Sequence, residues 1–324
     1  MNLHRLARRA FIAASLAAAL PSFALVDDSH PIEWVVGYAA GGGSDVVART
    51  VADAMSKTLN QTIIINNKPG AATNIAAGYV ANSKDYGHVM LTADFATLAA
   101  NPWLFTKLPY NADKDFIPVG MLARFPMLLV VGPNVPAKNW KEFLAWAKAQ
   151  PAGLAYASAG IGSPHHLATE MLRDRAGIKA QHVPYRGAAP AVQDLISGQI
   201  PFGLMDSASV QQFIATGKLR AIAVASPARL PTMPDVATFN EQGLKDFIAY
   251  AWQGLVVPTG TPPATVAKLG NALQAALNST MVKARFQALG VEPMPGTAQQ
   301  MAEFTRVEKA RWGKVVQTAG IKLD

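Results

Sequence analysis

The sequence predicts two α/β domains, each a doubly wound sheet, joined by two crossing strands around a central cleft. Three observations predict it. The chain has 324 residues, half of them apolar and 15% charged, which is too apolar for disorder and long for one core. Short apolar runs alternate with helical patterns, the signature of sheets with helices on both faces. The same order of parts then occurs twice.

The first 24 residues read as a leader. Arg5, Arg8 and Arg9 precede the apolar stretch Ala10–Leu20, Pro21 breaks it, and Ser22-Phe23-Ala24 supplies the small residues of a cleavage site. The apolar run is shorter than the ~20 residues of a spanning helix, so we expect a signal peptide (1–24) cut near Ala24 and a periplasmic mature protein. Arg8-Arg9 resembles a twin-arginine signal but lacks the flanking Ser and Lys, which favours the general export route.

Beyond the leader, strands are expected at Ile32–Tyr38, Thr62–Asn66, Val89–Thr92 and Ile117–Ala123, with a helix at Asp45–Leu59 between the first two. Met127–Val131 then leads through a Gly/Pro turn to a helix at Trp140–Lys148. The second half repeats this order. Strands Leu154–Ser158, Gln181–Tyr185, Phe202–Asp206 and Leu219–Ala225 lead to Trp252–Val257, a Pro/Gly turn and a helix from Ala264. Two sheets of this kind, expected to be parallel, imply a chain that crosses twice, giving one domain from 25–126 plus 249–324 and another from 127–248. The helical segments within Ala264–Ala284 and Ala298–Gln317 should pack back on the first domain. A pair of domains joined once would need a linker, and no Ser/Gly/Pro-rich or highly charged stretch serves.

Two loops carry the expected chemistry. After the first strand, Gly41-Gly42-Gly43 can turn successive N–H groups inward, and Ser44 is placed to cap the helix behind them. In the second half, Gly160 and Gly162 loosen a matching turn, Ser163 caps, and Pro164 takes the first helical position. Each is an anion site built from backbone and the positive end of a helix. Singly, either set of glycines could serve only a tight turn. Facing each other, the two would hold a small carboxylate, at about 1.5–3 kcal/mol for each hydrogen bond to a charged group.

Composition narrows the alternatives. No cysteine is present, which removes disulfides, thiol catalysis and cysteine-ligated metals. Without the three leader arginines the formal charge falls from +8 to +5, and the cations are scattered, so no nucleic-acid surface is expected. Gly41-Gly42-Gly43 does not fit the dinucleotide fingerprint, and Asn66-Asn67-Lys68 stands where an acidic residue should end the second strand. An exported nicotinamide enzyme is therefore disfavoured; no catalytic residue, metal or cofactor is expected. His165-His166 lack a third ligand at useful spacing, and no Gly-x-Ser-x-Gly elbow activates Ser163.

Several stretches carry a family resemblance: GYAAGGGSDVVAR (37–49), NNKPGAATNIAA (66–77), LPYNADKDFIPVG (108–120), ASAGIGSPHHLATE (157–170), HVPYRGAAPAVQDLISGQI (182–200), GKLRAIAVASPARLPTMPDVATFNEQGL (217–244) and WQGLVVPTGTP (252–262). Spanning most of the mature chain, they resemble the Bug family, the substrate-binding components of tripartite tricarboxylate transporters. The resemblance implies a type II periplasmic-binding-protein fold and hinge closure on a mono- or dicarboxylate. It also implies a monomer that delivers its ligand to membrane permease subunits, or alternatively presents it to a membrane sensor. Its ligand contacts fall on Tyr38, Ala40, Gly41, Gly42 and Ser44, on Thr92 and Phe95, on Ser158, Gly160, Gly162, Ser163 and His165, and on Tyr185, Arg186 and Asp206. Asp206 could equally bind a ligand hydroxyl or ammonium or cap the next helix; Arg186 could meet a second carboxylate or stand in solvent. Departures are Gly37 for Pro, Tyr38 for Phe, Tyr86-Gly87-His88 for Gly-Tyr-Thr, Asn74 after Ala-Thr, and Asp94-Phe95 in a loop that is small and polar in the family.

Overall fold

The computed structural model describes residues 30–318 and 320–323; the expected signal peptide lies outside them. Ten strands of the described chain form one continuous sheet. In chain order they are β1 Ile32–Val36, β2 Ile63–Asn67, β3 Val89–Asp94, β4 Phe116–Val131, β5 Leu154–Ser158, β6 Ala180–Pro184, β7 Phe202–Asp206, β8 Arg220–Val224, β9 Tyr250–Pro258 and β10 Glu292–Pro293. The path runs β2-β1-β3-β9-β4-β7-β5-β6, with β8 and β10 also on β4.

β4 explains the division of the molecule. Its residues Phe116–Pro126 pair with β9, whereas Met127–Val131 pair with β7 and β8 on its two sides. One 16-residue strand therefore replaces the two expected at Ile117–Ala123 and Met127–Val131, and it carries the chain from one half of the sheet to the other. Met127–Val131 is an unbroken apolar run because it is buried among neighbours on every side. β9 brings the chain back. An outgoing and a returning strand side by side must run in opposite directions, so β9 is antiparallel to both β3 and β4. The sheet is thus mixed, not parallel as expected: only β1–β2, β1–β3, β5–β6 and β5–β7 are parallel.

Helices cover both halves. α1 (Gly43–Leu59) buries Val47, Val51, Ala54, Met55 and Leu59, one face at helical spacing. α2 (Asn74–Ala81) follows a turn in which Ala71, Ala72 and Thr73 all take positive φ, and a π-helical turn at Ala96–Ala100 leads into α3 (Asn101–Leu104). The second half holds α4 (Trp140–Lys148), α5 (Pro164–Ala176), α6 (Ala188–Ser197) and α7 (Ser207–Ala215). The expected helix over 264–284 divides at Ser279: its extended backbone ends α8 (Pro263–Asn278), and its hydroxyl accepts from Val282 N to start α9 (Thr280–Ala288). α8 packs on α1, and α10 (Ala298–Thr318) packs on the π-helical turn and β4. The C-terminal helices therefore return to the first half. Phe95 is buried there, edge-on to Trp312 with ring centroids 4.7 Å apart.

Candidate functional site

Four helix N-termini converge where the halves meet: α1 from the first, and α5, α6 and α7 from the second. α1 begins two residues earlier than Ser44 capping would require. Gly42 is the N-cap and offers no side chain. Ser44 instead donates its hydroxyl to Gln253 Oε1 of the same half at 2.6 Å. The Gly43 N–H donates to Ser209 Oγ of α7 at 2.9 Å, a bond between the halves. A Cβ on Gly43 would stand 2.3 Å from Asp206 Oδ1, so only glycine permits this approach.

Asp206 sits between two of these helix ends. It caps α7 by accepting from Ser209 N at 3.0 Å, and its second oxygen accepts from Ser209 Oγ and pairs with His165 Nε2 at 3.0 Å. Asp206 thus caps the next helix, the second of its two sequence readings, and its side chain also lines the cavity between the halves.

The second loop is built differently from the first. Gly160 (φ +136°) and Gly162 (φ +74°) take backbone angles that favour glycine. Gly160 N donates to Ser158 Oγ, Gly162 N to His166 Nδ1, and Ser163 N to Gly160 O. Ser163 accepts from His166 N, the expected cap. Behind the loop, the His166 and His182 rings stack 3.9 Å apart, and Ser158 Oγ meets His182 Nε2 at 2.6 Å. Burial pushes His166 down to about 4, and burial, with His166 beside it, takes His182 to about 3. Both rings are neutral at neutral pH.

The space between the halves has two parts. An inner cavity of about 30 Å³ is lined by Tyr38, Gly42, Gly43, Ser44, Asp94 and Gln253 from the first half and by Pro164, His165, Ala188 and Asp206 from the second. Tyr38 and Ala159 border both this cavity and an outer one of about 360 Å³, where Gly70, Ala72, Gly160, Ser163, Tyr185 and Arg186 lie. The Tyr38 hydroxyl donates to Asp94 Oδ2 at 2.6 Å. Burial, with this carboxylate beside it, raises the Tyr38 phenol well above its ordinary value, and burial also raises Asp94.

Of the residues singled out from the sequence, Tyr38, Gly42, Ser44, Gly160, Ser163, His165, Tyr185, Arg186 and Asp206 line one cavity or both. Ala40 and Gly41 are exposed at the rim. Thr92 accepts the Trp34 indole N–H at 2.8 Å inside the fold, Phe95 lies in the aromatic core, Ser158 faces His182, and Gly162 abuts Leu104. Sequence reasoning missed Gln253, which is fully buried with its amide nitrogen unpartnered. The available signal was one polar residue within the apolar crossing strand Ala-Trp-Gln-Gly-Leu-Val. Among the described residues no three side chains gather to hold a metal ion, and no helix is long and apolar enough to cross a membrane.

Known proteins share this architecture. BugT of Bordetella pertussis is 33% identical over 325 residues, covering 100% of both chains. MatC from Rhodopseudomonas palustris, solved with bound malate, is 35% identical, with a TM-score of 0.84 over 88% of this chain and 98% of that one. A second R. palustris structure, with adipate, is 31% identical, with a TM-score of 0.87 over 90% and 98%. The family model described as the tripartite tricarboxylate transporter family receptor matches residues 47–321. With a periplasmic-binding-protein fold and a cleft at its two crossing strands, the chain belongs to that receptor family.

Proposed function

We propose that the protein is a periplasmic, monomeric receptor that captures a small mono- or dicarboxylate by hinge closure, without catalysis, and delivers it to the permease of a tripartite transporter. The moving bodies are residues 25–126 plus 249–324 and residues 127–248, with the hinge at Pro126–Met127 and Ala249–Tyr250. One observation carries the reading: four helix N-termini from both halves surround a cavity that holds the unpartnered, buried Gln253 amide nitrogen. Helix ends attract negative charge, and a buried N–H without a partner demands an acceptor. The carboxylates carried by the malate- and adipate-bound relatives support it.

Cavity size supports the hinge. About 30 Å³ holds one or two waters, far less than a dicarboxylate, so a ligand seated in the inner cavity requires the halves to part. A thermal-shift screen of organic acids against sugars and amines tests the reading, because a ligand that binds only the folded state raises Tm. Acids should stabilise; stabilisation by sugars or simple amines alone, with every acid inert, overturns it.

A further inference from the structure

Three consecutive residues at the mouth of the outer cavity hold backbone angles that their side chains disfavour. Among the described residues, five non-glycines take positive φ. Two are Asn60 and Asp246, types whose short polar side chains tolerate that region. The other three stand in a row: Ala71 (φ +46°), Ala72 (φ +53°) and β-branched Thr73 (φ +72°), where a Cβ crowds its own backbone. Ala72-Thr73 is the same pair that departs from the family pattern before Asn74. Strain of this kind persists only where surrounding contacts impose it.

Those contacts come from both halves. In the first half, Asn101 Nδ2 donates to Ala72 O at 2.7 Å and to Asn74 Oδ1 at 2.8 Å, and the Thr73 and Thr97 hydroxyls meet at 2.9 Å. From the second half, Gly162 closes over the turn. A Cβ built on it would stand 3.8 Å from Ala72 Cβ and 3.4 Å from Asn101 Oδ1. Gly160, Ile161 and Ser163 border the outer cavity together with Gly70, Ala71, Ala72 and Thr73. Asn101 is fully buried, and its Oδ1 has no partner. A buried acceptor left unpaired is unfavourable until water can reach it. Closure therefore holds two unfavourable features at one contact: a left-handed turn of non-glycine residues and an orphaned acceptor beneath Gly162.

Resting on the hinge-closure reading above, we infer that this contact is a release spring. The turn Ala71–Thr73 is strained in the closed form and relaxes when Gly162 withdraws, while water reaches Asn101 Oδ1. The closed form is thereby raised relative to the open one, and a bound ligand leaves faster than a relaxed turn would allow. The spring acts through the hinge and not through a ligand contact.

The test measures the hinge directly. The chain has no cysteine, so one spin label can be placed on each half, at Lys84→Cys and Lys179→Cys, both exposed, and the distance between them read by pulsed electron resonance. Without ligand, the otherwise native protein should be mainly open. Ala72→Gly removes the Cβ that the left-handed region disfavours and should raise the closed population three- to tenfold; Ala71→Gly should act in the same direction. Malate, adipate and succinate are then titrated calorimetrically. Whichever of them binds should gain affinity by the same factor, because a ligand of the closed form is weakened by the fraction of protein that is not closed. Unchanged distances and affinities in both glycine variants, with only the denaturation midpoint moved, overturn the spring: the turn is then strained in open and closed forms alike. The ligand-free comparison decides this even if none of the three acids binds. If a bound acid leaves the distance in the unsubstituted turn unchanged, hinge closure itself fails, and the spring with it.

Discussion

The two glycine loops look alike in sequence and do different work. In the first, α1 opens on bare backbone, and the Gly43 N–H reaches out of its own half to Ser209. In the second, the N–H groups of Gly160, Gly162 and Ser163 are all satisfied inside the same half, by Ser158, His166 and Gly160. The first loop donates an N–H to the other half; the second keeps its N–H groups in its own half, braces His165, and meets the other half by packing, Gly162 against Leu104. Matching turn chemistry therefore shows where the two halves meet, not how each side contributes, because an N–H can serve a guest only if nothing nearer takes it.

The largest expected effect comes from the first loop. Gly43→Ala should abolish measurable closure and weaken ligand binding at least 100-fold, because its Cβ would overlap Asp206, which Ser209 and His165 hold in place. Calorimetric titration reads the affinity, and circular dichroism should show an unchanged fold. Gly42→Ala, whose Cβ would meet Ala188 at an ordinary 3.7 Å, should cost far less; equal losses would remove the special role of Gly43.

In the second loop the corresponding change should strike stability. Gly162→Ala forces a side chain into positive φ, at a cost of about 1–3 kcal/mol, and its Cβ would stand 2.7 Å from Leu104 Cδ1 of the other half, so closure should weaken as well. Chemical denaturation of the ligand-free protein measures it. Loss of affinity with unchanged stability would show that this loop, too, is mainly a contact surface.

The stacked histidines sharpen the same contrast. His166 and His182 are depressed in the folded protein, while in the unfolded chain they titrate near their ordinary value of about 6.5. Below that pH the unfolded state takes up protons that the folded rings refuse, so stability falls with pH. The loss levels off only below about 4 for His166 and about 3 for His182. Between pH 6.5 and 5, buried His166 alone contributes on the order of 1–2 kcal/mol. Melting curves across that window should show a slope that His182→Gln roughly halves.

The smallest effect belongs to Ser44. Ser44→Ala releases the Gln253 amide and should weaken binding about 3–10-fold, the scale of one hydrogen bond, with Tm of the ligand-free protein nearly unchanged. A titration series checks it; no change would mean that Gln253 needs no brace.

Much of this architecture was legible before any coordinates. The helix Trp140–Lys148 and the strands Leu154–Ser158 and Phe202–Asp206 have the expected ends, because apolar period and turn residues are local signals. β4 was read as two strands, with Arg124, Phe125 and Pro126 left between them, and only its partners show that it continues. Gln253 was passed over for a similar reason: its neighbours in sequence are apolar, and its partner Ser44 lies 209 residues away.

By itself, the sequence determined the alternation of elements, the two glycine turns and the double order that places a cleft between halves. All of these follow from backbone freedom and hydrophobic period over short windows. Tertiary structure alone decided that Gly43 touches Asp206, that Tyr38 clamps Asp94, and that the second loop's N–H groups are already taken. Each of those depends on which distant atom arrives within hydrogen-bonding distance, and the local pattern does not encode that.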